Sequence, residues 1–134
     1  MSEPIRQQVE LLCDALYNHK AQEILAIPVG DKTIIADWFI VCSGRSTPQI
    51  RALCDDLEEK AQEAGMELRR KEGYTAGRWI VLDYGDVLVH IFHPEERQYY
   101  NVEHLWDTDG AALHYSQERD TKEAAAHAAA MQQD

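Results

Sequence analysis

The chain has 134 residues, 45% hydrophobic and 28% charged, a composition typical of one globular domain with a single core. Its formal net charge of −11 disfavours nonspecific binding to nucleic acid, whose affinity comes largely from lysine and arginine, and favours a basic protein partner. No apolar run is long enough to span a bilayer, and the polar start does not resemble a secretory signal, so we expect a cytoplasmic or matrix-like location.

The first half of the chain predicts a helix, two strands and a second helix. Apolar residues recur at helical spacing over Ile5–Tyr17. EILAIPVGD alternates as a short strand, in which Pro28 indicates an edge or an irregularity. TIIADWFIVCSG predicts a long central strand, because both of its faces are apolar apart from Asp37. GRSTPQIRALCDDLEEKAQEAG predicts a helix capped by Ser46 or Thr47.

The second half predicts a strand, a hairpin and a helix. MELRRK reads as a short strand, and RWIVLD and DVLVHIF read as strands joined by the Tyr-Gly pair at 84–85, where the glycine supplies a positive φ. A helix opens at Pro94 and extends to about Trp106. Residues 1–110 therefore predict an α/β domain with a single mixed sheet of about five strands packed with helices. The polar, alanine-rich residues 111–134 predict a disordered or weakly helical tail outside the core.

The predicted hairpin has two different faces. A two-residue turn pairs Asp83 with Asp86 and Trp79 with His90. Because side chains alternate between faces, one face is wholly aliphatic and belongs to the core. The other face carries these four side chains and three apolar residues, namely Val81, Leu88 and Phe92. Aromatic anchors with charges at the rim are typical of a protein-docking surface, and a second core layer beneath a helix explains the pattern equally well.

The same polar residues are candidates for catalysis or metal binding. Asp83 and Asp86 flank a turn, where acids serve turn chemistry far more often than catalysis. His90 and His93 lack the i, i+4 spacing of a helical metal site. CSGRSTPQ has the strand, Gly-Ser and helix order of nucleotidyltransferases, but the next strand carries only one acid, Glu67, so the metal-binding pair is missing. We therefore predict no catalytic residue, cofactor or metal, and keep a metal-dependent nucleotidyltransferase-like enzyme as an alternative.

Three segments together resemble the ribosomal silencing factor family, also called the Iojap-like family. They are ADWFIVCSGRSTPQIRAL, EGYTAGRWIVLDYGDVLVHIF and PEERQYYNVEHLW, and their order and spacing match over Ile5–Trp106. The resemblance implies a nucleotidyltransferase-like topology without the catalytic motif. The chain departs from the family pattern at Tyr84, where an aliphatic residue is usual, and in the extension after Gly110.

The resemblance also implies a function. Such a factor represses translation when nutrients are scarce: it binds the large ribosomal subunit through that subunit's basic protein fourteen, with little direct contact to rRNA, and blocks joining of the small subunit. Large-subunit assembly is the alternative role, and a homodimer through the same face is the alternative state when the partner is absent. The partner surface carried over from the family consists of Trp79, Asp83, Asp86, His90, Arg97, Tyr100, Glu103, Leu105 and Trp106.

Overall fold

The computed structural model describes residues 3–132, which form one mixed sheet and five helices. The strands are β1 (Gln22–Pro28), β2 (Trp38–Ser43), β3 (Arg70–Glu72), β4 (Trp79–Asp83), β5 (Val87–Phe92) and β6 (Leu113–His114). The helices are α1 (Glu3–Asn18), α2 (Thr47–Glu63), α3 (Pro94–Tyr100), α4 (Val102–Trp106) and α5 (Tyr115–Gln132). The strand order is β3-β4-β5-β2-β1-β6, in which β2 and β5 are parallel and the other neighbours antiparallel. The predicted mixed α/β sheet is confirmed, with six strands.

Helices cover the two faces of the sheet unequally. The long helices α1 and α2 pack on one face, where the aliphatic residues predicted from the hairpin are fully buried. The short helices α3 and α4 cover part of the other face. Tyr100 of α3 contacts Trp79, and Val102 and Trp106 of α4 pack with Phe39 and Phe92. Two short helices cannot cover a six-stranded sheet, so the β4–β5 end of this second face is only partly covered.

The hairpin register differs from the predicted one. Trp79 pairs with Phe92 and Asp83 with Leu88, because the tight turn is Gly85-Asp86 rather than Tyr84-Gly85. Moving the turn by one residue shifts every pair by two positions. Since side chains have a period of two, an even shift leaves each residue on its predicted face. The predicted pairs are wrong, and the predicted division between the two faces is confirmed.

The central strand is shorter than predicted. β2 begins at Trp38, and the residues before it form a loop in which the Val29 N–H donates to the Asp37 carbonyl at 2.9 Å. All six β2 residues are buried, as expected of a strand covered on both sides. The helix that follows is capped as predicted, because the Ser46 hydroxyl accepts a hydrogen bond from the Gln49 N–H at 3.3 Å. Pro28 ends β1, which is irregular between Gln22 and Leu25.

The segment after Gly110 is more ordered than a tail. Leu113 and His114 form β6 and pair with β1. The hydroxyl of Ser116 then accepts a hydrogen bond from the Ile24 N–H at 2.8 Å, and Arg119 contacts Asp14 on α1 at 2.6 Å. The segment docks because the β1 edge supplies backbone donors and acceptors, and because Leu113 and Tyr115 pack against the core. Within residues 3–132 we find no helix with the length and apolar character needed to cross a bilayer.

Candidate protein-docking face

The partly covered end of the second sheet face forms a strip of four half-exposed side chains. Trp79, Val81 and Asp83 come from β4, and Leu88 comes from β5. We call these four residues the open strip. Three of them are apolar, and they lie side by side on adjacent antiparallel strands. An apolar centre of this kind, next to acidic residues, has the composition of the middle of a protein interface.

Trp79 is held in one position at the end of the open strip. Its ring stacks on Phe92 with centroids 4.8 Å apart and contacts Tyr100 of α3, also at 4.8 Å. Its indole Nε1–H donates to His90 Nδ1 at 3.2 Å. A half-exposed tryptophan fixed from three sides loses little conformational entropy when a partner covers it. Trp79 therefore has the properties of an interface anchor.

His90 lies beneath the surface, between Trp79 and Phe39. It is only 6% exposed, and burial lowers its pKa from 6.5 to about 4, so the ring is neutral at physiological pH. Because Nδ1 accepts from Trp79, the proton is on Nε2, which is buried without a hydrogen-bond partner. The sequence placed His90 on the partner surface. The structure instead places it under that surface, where it orients the Trp79 indole.

Arg97 is also buried, at 6% exposure, although the sequence assigned it to the partner surface. Its guanidinium forms a two-bond ion pair with Glu103 of α4 at 2.8 and 3.1 Å. It also donates to the Ser43 hydroxyl at 3.0 Å and to the Glu23 carbonyl at 2.8 Å. The side chain turns inward because these groups at the ends of β1 and β2 need a donor. Arg97 and Glu103 thus join the two short helices to the sheet.

The break between α3 and α4 displays three aromatic or aliphatic side chains. Asn101 adopts a left-handed conformation, with φ of 49°, and starts a new helix at a different angle. As a result Tyr100 and Leu105 are 50% and 65% exposed. Trp106 packs edge-on against Phe39, with centroids 5.2 Å apart, and remains half-exposed. These three predicted partner residues border the covered side of the second sheet face.

The two aspartates of the hairpin differ in their surroundings. Asp83 accepts a hydrogen bond from the Gly85 N–H at 2.8 Å, so its carboxylate stabilises the turn. Asp86 is exposed, and its backbone carbonyl accepts from the N–H groups of Asp37 and Trp38 at 2.8 and 3.0 Å. Asp83 thus has the structural role that acids near turns commonly have. The Asp86 carboxylate faces solvent at the rim of the open strip.

Comparison with known proteins identifies the family. The model of the family described as ribosomal silencing factor during starvation matches residues 2–134. This chain belongs to the ribosomal silencing factor family. It is 42% identical over 101 residues to the ribosomal silencing factor of Halalkalibacterium halodurans, covering 75% of this chain and 86% of that protein. The Iojap-like resemblance and the predicted fold are confirmed.

A solved structure and a more distant relative extend the comparison. A crystal structure of a Chromobacterium violaceum protein superposes with a TM-score of 0.75 at 34% identity, covering 79% of this chain and 87% of that one. The mouse protein named mitochondrial assembly of ribosomal large subunit protein 1 is 28% identical over 101 residues. That match covers 73% of this chain and 44% of the mouse protein.

Exposed apolar residues of this silencing-factor chain extend beyond those predicted. Tyr99 is 80% exposed beside Tyr100, and its position on the outer side of α3 follows from the helix break. Ile34 is fully exposed and Ile35 is 60% exposed, in the loop between β1 and β2. Their β-branched side chains favoured a strand in the sequence. No pattern in the sequence separated these two residues from the buried strand that follows them.

Two clusters in the described part of this silencing-factor chain bring potential metal ligands within 4.8 Å of one another. One contains Cys54, Asp55 and Glu58, and the other contains His93, Glu95 and Glu96. Each already holds a basic side chain against its carboxylates. Lys71 Nζ is 2.8 Å from Glu58, and an Arg78 nitrogen is 2.7 Å from Glu96. These internal cations neutralise the carboxylates that a metal ion would need.

Proposed function

We propose that this chain is a cytoplasmic translational repressor that binds the large ribosomal subunit and sterically blocks joining of the small subunit, which lowers translation under nutrient limitation. The contact is with the subunit's basic protein fourteen. The observation that carries the proposal is the open strip, a half-exposed apolar surface in a family member with a net charge of −11. A chain of this charge favours a basic protein over rRNA. Steric blocking needs affinity and bulk, with no catalytic step.

The predicted partner residues divide into two groups in this proposal. The contact residues are those with exposed or half-exposed side chains on the second sheet face and its border, namely Trp79, Asp83, Asp86, Tyr100, Leu105 and Trp106. His90, Arg97 and Glu103 support them. His90 orients the indole of Trp79, and the Arg97–Glu103 pair fixes the helices that carry Tyr100 and Leu105.

The primary experiment is sedimentation of the tagged protein with isolated large subunits, isolated small subunits and joined ribosomes. We expect selective binding to the large subunit. Tyr100→Ala and Leu105→Ala should each weaken it, because these exposed side chains are free to contact a partner and contribute little to the core. Trp79→Ala should cost about 2 kcal/mol or more of binding free energy, the loss typical of an interface hot spot.

The control for these variants is Ala52→Ser, an exposed position on α2 at the opposite face of the sheet. It should bind like the wild type. Equal binding of the wild type to both subunits, or binding to neither, would contradict the proposal. A folded Trp79→Ala variant with wild-type affinity would contradict the role of Trp79 as an anchor.

The charge of the rim is tested separately with Asp86→Asn. A rim charge acts mainly on the rate of association and on its dependence on salt. We expect slower association and a shallower salt dependence for Asp86→Asn, and wild-type behaviour for Glu59→Gln, which neutralises an exposed acid on α2. Association kinetics at low and physiological salt measure both. Equal effects of the two substitutions would mean that only net charge matters.

Large-subunit assembly is a second candidate function, favoured by the mouse relative, which is named for assembly of the mitochondrial ribosomal large subunit. The two roles differ in the state of the subunit that the protein binds. A repressor lowers the joining of mature, purified subunits in a reconstituted assay. An assembly factor leaves that joining unchanged, and its depletion leads to accumulation of immature large subunits in cells. Measuring both quantities with the same strain and protein decides between them.

A further inference from the structure

The loop between β1 and β2 presents two aliphatic residues to solvent. Ile34 is fully exposed and Ile35 is 60% exposed, whereas Val29 and Ala36, at the two ends of the loop, are buried with Phe39 and Phe92 in the core on the second face of the sheet. Single exposed aliphatic residues are common on protein surfaces, but adjacent β-branched residues at this level of exposure are not explained by packing within the chain.

The loop is held in place by its own hydrogen bonds. The N–H groups of Lys32 and Thr33 both donate to the Val29 carbonyl, at 2.9 and 3.1 Å. The Ile35 N–H donates to the Thr33 hydroxyl at 3.1 Å. Val29 and Ala36 fix both ends of the loop in the core. A partner that covers the isoleucines would therefore have little backbone to order, which favours binding.

The loop lies between the hairpin turn that follows the open strip and the segment just after α4. On one side, the Asp86 carbonyl of the hairpin turn accepts hydrogen bonds from the N–H groups of Asp37 and Trp38. On the other side, Lys32 Nζ contacts Asp109, just beyond α4, at 3.2 Å. The isoleucines are thus at the sheet end opposite Trp79, between the turn that follows the open strip and the end of α4. They continue the surface assigned to the partner under the proposed function.

Acidic residues lie on this loop and on the two elements that it contacts. Asp31, Asp86 and Asp109 are exposed, and Lys32 is the basic side chain beside them. The surface formed by this loop and the neighbouring acids therefore has an apolar centre and an acidic rim. Two copies of the chain joined through this surface would bring like charges together. A basic protein with an apolar depression flanked by lysine or arginine matches both the centre and the rim.

We propose that Ile34 and Ile35 form a second anchor for the basic protein partner, at the end of the docking face opposite Trp79 and Tyr100. The inference rests on the proposed function, because it assigns the loop to the same partner. Two anchors at opposite ends of one face fix the orientation of the bound protein as well as its affinity. Orientation matters for a steric block, since the bulk of the domain must lie over the surface that the other subunit approaches.

The test is the double variant Ile34→Ser/Ile35→Ser, assayed for binding to isolated large subunits. We expect at least roughly tenfold weaker binding, mainly through faster dissociation, because most effects of interface substitutions are on the dissociation rate. The midpoint of thermal unfolding should stay at the wild-type value, since neither side chain is in the core. Ala52→Ser serves as the surface control and Tyr100→Ala as the variant at the first anchor.

Three outcomes would overturn the inference, and they are distinguishable. Wild-type protein that does not bind large subunits refutes the proposed function and this inference with it. Wild-type binding that the Ser/Ser variant retains, while Tyr100→Ala loses it, refutes the second anchor alone. A wild-type dimer that the Ser/Ser variant dissociates in sedimentation velocity, with unchanged binding to subunits, shows that the loop binds a second copy of the chain instead.

Discussion

Replacing Arg97 with methionine tests whether this residue supports the docking face from inside. Methionine has an unbranched side chain that fills much of the same space without polar groups at its end. The substitution removes the five hydrogen bonds of the guanidinium, two of them to Glu103. The remaining three involve the Ser43 hydroxyl and the backbone carbonyls of Gln22 and Glu23.

The expected cost follows from which of these groups can reach water. Ser43 is 3% exposed and cannot replace its lost donor with solvent. The Glu103 side chain is 27% exposed, so its carboxylate is partly rehydrated. Leaving one member of a buried ion pair without its partner costs about 3–5 kcal/mol. Because Glu103 regains some hydration, we expect Arg97→Met to lower the free energy of unfolding by about 3 kcal/mol.

Urea unfolding, followed by far-ultraviolet circular dichroism, measures this loss. Glu103→Gln should cost less, because its amide oxygen still accepts from Arg97. The double variant should lose less than the sum of the two single variants, since both remove the same interaction. An Arg97→Met protein that keeps wild-type stability and yet binds large subunits more than tenfold more weakly would refute the reasoning, because Arg97 would then contact the partner directly.

Three further predictions concern His90, a glycine and the C-terminal segment. Burial favours the neutral form of His90 in the folded protein. Its contribution to the free energy of unfolding is therefore fully present above pH 6.5, and roughly 3 kcal/mol of it is lost as the pH falls to about 4. In urea unfolding, His90→Gln should lose less stability over this pH range. Gly73→Ala places a Cβ in steric overlap with the Trp79 carbonyl oxygen and should destabilise the protein by more than about 2 kcal/mol. Gly65→Ala, with a similar positive φ and nothing within 4 Å of the added Cβ, should cost about 1 kcal/mol, and thermal unfolding compares the two variants. Truncation after Gly110 exposes the β1 edge, so we expect lower stability and concentration-dependent self-association in sedimentation velocity; a stable monomer would contradict this.

The pattern of apolar residues was enough to predict the α/β class and the two faces of the hairpin. Alternation along β4 and β5 separates an aliphatic face from one with Trp79 and His90, and this separation does not depend on the register. The turn itself was misplaced by one residue, because Tyr84-Gly85 and Gly85-Asp86 both place a glycine where a positive φ is needed. Leu113 and His114 are too few residues to predict a strand from the sequence, and their pairing with the edge of β1 makes them one.

The sequence by itself determined which residue types the docking face contains, and with the family motifs it determined the family. Only the tertiary structure decided which of those residues a partner can touch. Burial depends on what packs above a side chain. Arg97 and Tyr100 lie three positions apart on α3, yet the short helices joined at Asn101 cover Arg97 and leave Tyr100 exposed. In the same way Ile34 and Ile35 resemble the buried strand that follows them, and only the hydrogen bonds that turn the loop away from the sheet place them in solvent.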